Sequence, residues 1–337
     1  MDKKVIEIKN LAISFSARGK RFRSVNSVDL FINKGEILGI VGESGCGKSV
    51  TSLSIMGLLS MPPGKIEEGE ILFEGENILS YSEAQMRRLR GNKISMIFQE
   101  PMTSLNPVFT IGMQVDEAIR LHNAHLSKSE IRQKSLDMLK AVGITGPERT
   151  YRSYPHQLSG GMRQRVMIAM ALACHPHLLI ADEPTTALDV TIQAQVLELM
   201  RELRRQFDTA ILFITHDLGV VAEMCDRVAV MYAGFIVEEA PVVDLFHDPR
   251  HPYTQGLLLS MPRVDTNGGR LHTIEGSVPH PSEAPGGCYF HPRCPYASAQ
   301  CRQQVPALTD LGAGHQVRCW KAQAEAQERK AAREPNL

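Results

Sequence analysis

Long apolar runs are missing from this chain of 337 residues. The longest, Val166–Cys174, spans nine residues, about half of the roughly 20 that cross a bilayer. The stretch Met1-Asp2-Lys3-Lys4-Val5 lacks the apolar core of a signal peptide, so a cytosolic protein is expected. An excess charge of either sign is missing too: Lys+Arg and Asp+Glu each number 37. That removes the global attraction to nucleic acid or to an anionic membrane that a basic chain would have. No internal repeat is visible, which argues against a solenoid. Disulfides are not expected among seven cysteines without a secretory signal. Cys46, Cys174 and Cys225 sit in apolar or glycine-rich surroundings and read as small core residues.

What is present is a chain long enough for a sizeable core, as one large domain or two smaller ones. Residues 5–32 alternate in places, Val28/Leu30/Ile32 against Asp29/Phe31/Asn33, as half-exposed antiparallel strands do. Ile37–Val41, Leu178–Ala181 and Ile211–Ile214 are apolar throughout, which suits strands of a parallel sheet covered on both faces. Each is followed by a turn and helical periodicity, giving an α/β core. Between Gln99 and Pro155 the pattern turns helical (Val115–His122, Lys128–Val142) and predicts a lateral helical subdomain, about residues 100–170. After residue 245 Pro and His become frequent and strands fade, so residues 246–321 read as a separate, irregular module. Ala322–Leu337 reads as a frayed helix or a disordered tail.

Gly42-Glu43-Ser44-Gly45-Cys46-Gly47-Lys48-Ser49 fits the pattern of a phosphate-binding loop between a strand and a helix. Its glycines let backbone N–H groups wrap phosphates, and the helix N-terminus adds positive potential. Lys48 would reach the β- and γ-phosphates, Ser49 would ligate Mg²⁺, and Thr51 follows on the same helix among the nucleotide-binding residues. Leu178–Glu183 is a buried strand emerging at two carboxylates, an arrangement that calls for a cation or a polarised water. Asp182 would serve Mg²⁺, and Glu183 would accept the proton of the attacking water. His216 follows Ile211–Ile214, whose C-terminal end the parallel-sheet rule places beside the phosphates. Its role there would be to contact the γ-phosphate and orient Glu183. Gln99 ends the run Ile94–Phe98, and its amide can ligate Mg²⁺ or water. Leu158-Ser159-Gly160-Gly161-Met162 opens a helix 23 residues before Asp182. Its Ser159 hydroxyl and following N–H groups form a second anion-seeking cap.

Taken in this order, with Ala187-Leu188-Asp189, these motifs resemble the ATP-binding cassette (ABC) ATPases over about residues 5–245. The resemblance implies a P-loop ATPase core with an antiparallel β subdomain and a helical subdomain, using ATP and Mg²⁺. Two such domains would pair head to tail, each ATP lying between one phosphate loop and the partner's Ser159-Gly160-Gly161 turn. Asp189 would communicate between the sites, and Phe15, or else Phe22, would stack on adenine. The family often has Gln where Met162 stands, with little consequence expected because Ser159 and the backbone meet the phosphate.

The C-terminal residues His251-Pro252-Tyr253-Thr254, Gly287–Phe290 and Pro292-Arg293-Cys294-Pro295 resemble the tail of ABC ATPases of the oligopeptide/dipeptide importer type. Phe98–Pro107 is similar to the same group. The resemblance implies a peripheral subunit at the cytoplasmic membrane face that energises uptake of peptides or a related solute. Its implied partners are two transmembrane permease subunits, a sister or identical ATPase, and a solute-binding protein outside; nucleic acid is not among them. A soluble, ribosome- or DNA-associated ABC protein is the alternative, but two cassettes or a long coiled-coil insertion would be expected there. Cys288, Cys294, Cys301 and Cys319, spaced C-x5-C-x6-C-x17-C, suit four-thiolate ligation. Zinc sites usually contain close C-x2–4-C pairs, absent here, and the importer resemblance favours a [4Fe–4S] cluster over Zn²⁺ or free thiols. His291 and His315, nearby, are alternative ligands, with a surface position the preferred expectation for both.

Overall fold

Three uniformly apolar runs become the centre of the molecule. The computed structural model describes residues 3–17, 19–98, 104–186, 189–261 and 273–333. Its strands are β1 (Lys4–Ala17), β2 (Lys20–Asn33), β3 (Ile37–Val41), β4 (Gly64–Phe73), β5 (Glu76–Asn77), β6 (Ile94–Ile97), β7 (Leu178–Asp182), β8 (Ala210–Ile214), β9 (Arg227–Tyr232), β10 (Phe235–Pro241), β11 (Thr309–Asp310) and β12 (Gln316–Val317). An eight-stranded sheet runs β11-β12-β10-β9-β3-β8-β7-β6, with β6, β7, β8, β3 and β9 parallel. Every residue of β3, β7 and β8 is buried. Side chains alternate across a strand, and the two faces serve two cores. Ile37, Val41, Leu179, Ala181, Ile211 and Phe213 pack on one side, while Leu38, Ile40, Leu178, Ile180, Leu212 and Ile214 pack on the other. Alternation disappears from these sequences because neither face meets water.

The second core is closed by the four-stranded antiparallel sheet β2-β1-β4-β5. Arg227 bolts the sheets together. Its guanidinium lies 3.9 Å over the Phe31 ring, donates to the Phe31 carbonyl at 2.6 Å and to Glu36 at 2.8 Å, and pairs with Glu239.

The helices are α1 (Lys48–Ile55), α2 (Glu83–Leu89), α3 (Ile111–His122), α4 (Lys128–Ala141), α5 (Pro147–Arg152), α6 (Gly160–Leu172), α7 (Val190–Phe207), α8 (Leu218–Met224), α9 (Val242–His247), α10 (Pro252–Leu259), α11 (Ala299–Gln303) and α12 (Trp320–Arg333). The helical excursion between β6 and β7 is α3–α6. Helix α3 begins at Ile111 rather than at Val115, because the Thr110 hydroxyl caps it by accepting from Met113 N–H at 3.4 Å. A capping box between Ser127 and Glu130 starts α4 where the sequence predicts. Asp116 of α3 accepts hydroxyls from Ser135 of α4 (2.6 Å) and Tyr151 of α5 (2.5 Å), locking the three helices together.

The C-terminal residues are less separate than their sequence suggests. β12 pairs with β10 at Glu238 and Glu239, so the segment completes the main sheet. Tyr253 and Phe290 belong to the core formed by the parallel strands and helices. Glu238, fully buried, accepts from the N–H groups of Arg250 (2.6 Å) and His251 (2.9 Å) and lies 2.7 Å from His315 Nε2. His315 is therefore buried beside a carboxylate, not at the surface. Of the tail, the described residues to Arg333 lie in α12, with Ala322 buried near its start, and residues 334–337 lie outside the described residues.

Candidate functional site

The phosphate loop is shaped by backbone that only glycine adopts freely. Gly42, Gly45 and Gly47 have φ of 155°, 79° and 110°. A Cβ at Gly42 would lie 2.1 Å from the Met231 carbonyl oxygen, and one at Gly47 would lie 2.8 Å from the Ser24 carbonyl. The loop is thus pressed onto the β9–β10 turn, where Gly234 N–H donates to the Cys46 carbonyl at 2.8 Å. Cys46 is buried beneath it, its thiol pushed up by burial, while Ser44 and Gly45 are exposed at the tip. Lys48 is 7% exposed, and its ammonium donates to the carbonyls of Gly42 (2.7 Å) and Glu43 (3.1 Å). The Thr51 hydroxyl is buried and donates back to the Gly47 carbonyl at 3.0 Å, so it braces the loop.

Asp182 ends β7 beside this loop and is buried. Burial pushes its carboxyl up, the charge of Glu183 adds to the rise, and Ser49 and Lys48 oppose it. Glu183 turns the chain with φ of 49°, left-handed backbone that costs a non-glycine residue about 1 kcal/mol or more. Its N–H donates to the Ile214 carbonyl at 2.8 Å, which holds the turn against β8. Its carboxylate accepts the Thr186 hydroxyl at 2.9 Å and lies 3.2 Å from His216 Nδ1. Burial raises Glu183, but Thr186, His216 and the Lys48 charge outweigh it and hold the carboxyl below its ordinary value. Thr186 was not singled out by sequence; its place three residues after Glu183 was the available signal. Gln99, and Ala187 and Leu188 of the Asp189 motif, lie outside the described residues.

The glycine turn at Ser159 is built differently. Ser159 caps α6, its hydroxyl accepting Met162 N–H at 3.3 Å, and the residue is exposed. Gly160 faces open space, whereas a Cβ at Gly161 would lie 2.9 Å from Ile192 Cγ2 of α7. One glycine leaves room and the other permits helix packing. Farther along α6, the Gln164 side-chain amide donates to the Pro184 carbonyl, joining this helix to the acidic strand end. Asp189 caps α7 by accepting Ile192 N–H at 2.9 Å. Phe15 and Phe22 are direct partners across β1 and β2 and so share a face of that sheet. Phe15 packs over Gly64, and the Phe22 ring meets His280 at 5.4 Å.

Cys288, Cys294, Cys301 and Cys319 line one small cavity with His251, His291 and Phe290. Cys288 N–H donates to the Cys301 carbonyl at 2.8 Å, bringing the ends of that segment together. Burial pushes the Cys288 thiol up to about 11 and raises Cys294 and Cys319. None of the seven cysteines is in a disulfide. Among the described residues no group of three or more His, Cys, Asp or Glu side chains is arranged to hold a metal ion. His291 Nδ1 lies 2.9 Å from the Cys288 carbonyl and is half-buried rather than a surface group.

Comparison with known proteins accords with this geometry. The family described as "ABC transporter" matches residues 25–186, and "Oligopeptide/dipeptide transporter, C-terminal region" matches residues 237–301. The chain is 53% identical to the oligopeptide transport ATP-binding protein AppD of Bacillus subtilis, over 96% of this chain and 98% of that protein. It is 51% identical to the dipeptide transport ATP-binding protein DppD of the same organism, over 94% of each. Among solved structures it is similar to the dimeric ATP-binding cassette MJ0796 bound to ADP and Pi. That match has 28% identity and a TM-score of 0.63, covering 70% of this chain and 98% of that one.

Proposed function

The chain belongs to the ABC transporter family, in its oligopeptide/dipeptide ATP-binding branch, and on that premise we propose that it hydrolyses ATP to drive peptide import. The observation that carries the chemistry is the convergence of Lys48, Ser49, Asp182, Glu183 and His216 at the C-terminal ends of adjacent parallel strands. Lys48 holds the β- and γ-phosphates. Ser49 and Asp182, a hydroxyl and a buried carboxylate, fit a hard cation, and the Gln99 amide would be a further ligand. Mg²⁺ bound there would neutralise charge developing on the phosphates. Glu183, kept ionised, takes a proton from the attacking water, and His216 orients it. Phe15 supplies the adenine platform.

Ser159 and the N–H groups of Gly160 and Gly161 serve the ATP of a second ATPase subunit, sister or identical, and Asp189 lies on the path between sites. We assign the permease contact to Gln99–Pro107. Beside its described neighbours Phe98 and Leu105, an apolar cavity of about 270 Å³ lies between β6 and the helical excursion, lined also by Met96, Met167 and Met170. No helix among the described residues is long and apolar enough to cross a membrane, and we assign the chain to the cytoplasmic face. A solute-binding protein would meet the complex through the permease.

We further propose that the four C-terminal cysteines hold a [4Fe–4S] cluster that braces the surrounding turns. Support comes from their shared cavity and from their number, four thiols being the set that ligates a [4Fe–4S] cluster. Iron and acid-labile sulfide in anaerobically purified complex test this; zinc or no metal refutes it. ATP-dependent peptide uptake by the complete transporter carrying Glu183→Gln tests the main reading. Undiminished uptake overturns it.

A further inference from the structure

Glu43, the second residue of the phosphate loop, has its polar groups engaged, two of them by residues more than two hundred positions away. Its N–H donates to the Tyr253 hydroxyl at 2.9 Å. Its carboxylate accepts Arg293 Nη1 at 3.0 and 3.1 Å from the two oxygens. Its carbonyl accepts Lys48 Nζ and, at 3.3 Å, Cys46 N–H. The C-terminal side of this grip is rigid. The Arg293 side chain is 6% exposed, donates also to the carbonyls of Ile274 (3.2 Å) and Glu275 (2.9 Å), and lies over the Tyr232 ring. It projects from a tight turn in which His291, Arg293 and Cys294 N–H groups donate to the carbonyls of Cys288, Phe290 and His291. Tyr253 is fully buried.

We propose that Arg293, assisted by Tyr253, is a positioning residue for nucleotide binding. By fixing Glu43 from outside the loop, it sets the carbonyl on which Lys48 rests and the N–H groups that follow. A loop held before ATP arrives loses less freedom on binding, and a carboxylate so near the phosphates is kept neutralised by the guanidinium. The inference rests on the ATPase reading above.

The test measures ATP turnover across ATP concentrations, together with equilibrium binding of a fluorescent ATP analogue, in the complete transporter. Arg293→Met is expected to raise KM and the analogue's dissociation constant roughly tenfold, with kcat changed by less than about twofold. Glu43→Gln should act in the same direction, and the double variant should be no worse than the worse single one. Arg293→Lys should recover part of the loss, and Tyr253→Phe should show a smaller rise. A merely structural role would instead lower the thermal midpoint and make the two losses multiply. Unchanged affinity in Arg293→Met, or multiplying losses, overturns the proposal. Should Arg293→Met fail to fold, unchanged affinity in Glu43→Gln does so alone. Wild-type complex that binds the analogue without hydrolysing ATP would sink the ATPase reading, while the binding arm still decides the role of Arg293.

Discussion

The two anion-binding turns of this molecule differ in how completely the chain builds them. At Gly42–Ser49 the loop is pinned from below by the β9–β10 turn, its lysine rests on loop carbonyls, and Glu183 near it is hydrogen-bonded. At Ser159–Met162 only the helix cap is satisfied; Ser159 is exposed and Gly160 faces open space. A site assembled by its own chain can bind ligand alone, whereas a helix terminus open to solvent needs something brought to it. The contrast teaches a division of labour. On the function proposed above, nucleotide binding falls to the first region, and completion of the reaction site to an encounter between two chains.

The sharpest way to separate the regions is to disable chemistry in the first while sparing its grip. Glu183→Gln should lower ATP hydrolysis by about 10²–10⁴-fold, the usual contribution of a positioned general base, with ATP-analogue binding retained; single-turnover assays on the complete transporter read both. Next, Ser159→Arg should cut hydrolysis by roughly 10–100-fold, as expected for losing one charge-assisted hydrogen bond of about 1.5–3 kcal/mol. Binding at the same chain's Lys48 should be intact. Loss of binding in that variant would erase the distinction drawn here.

A smaller effect probes packing behind the open turn. Gly161→Ala should destabilise the fold by about 1 kcal/mol, because overpacking against Ile192 outweighs the helix preference for alanine. In an Ile192→Ala background the same change should become stabilising, as urea midpoints would report. Smallest is a shift along the pH axis. Glu183 lies below its ordinary value, so its base form persists as pH falls toward that value. Thr186→Val removes a hydrogen bond that lowers it and should move the acidic limb of kcat to higher pH. A limb that stays put, or moves lower, would dissociate Thr186 from the base.

Legibility in the sequence followed the range of the interactions. The parallel strands were readable because burial on both faces leaves an unbroken apolar run, as in Ile37–Val41. The loop, Asp182-Glu183 and His216 were readable because strand-to-helix turns in such sheets converge on one edge. The start of α3 was misplaced because one threonine cap outweighed the weak amphipathic pattern before Val115. β11 and β12 went unseen because two residues carry no periodicity. His315 looked like a surface residue because nothing local reveals a buried carboxylate 77 positions earlier. The same holds for Tyr253 and Arg293, whose partner lies at the opposite end of the chain.

The pairing of β12 with β10 bears on how the protein is made and divided. Synthesis runs from the N-terminus, so the hydrogen-bonding edge of β10 emerges long before Gln316 and Val317 arrive to cover it. Until then the nascent chain presents an open strand edge, the kind of template that recruits foreign strands, with Glu238 deprived of His315. A fragment cut near residue 245 would carry that edge permanently. The ATPase core is thus unsuited to excision, and its protection from aggregation arrives late in translation, just ahead of α12.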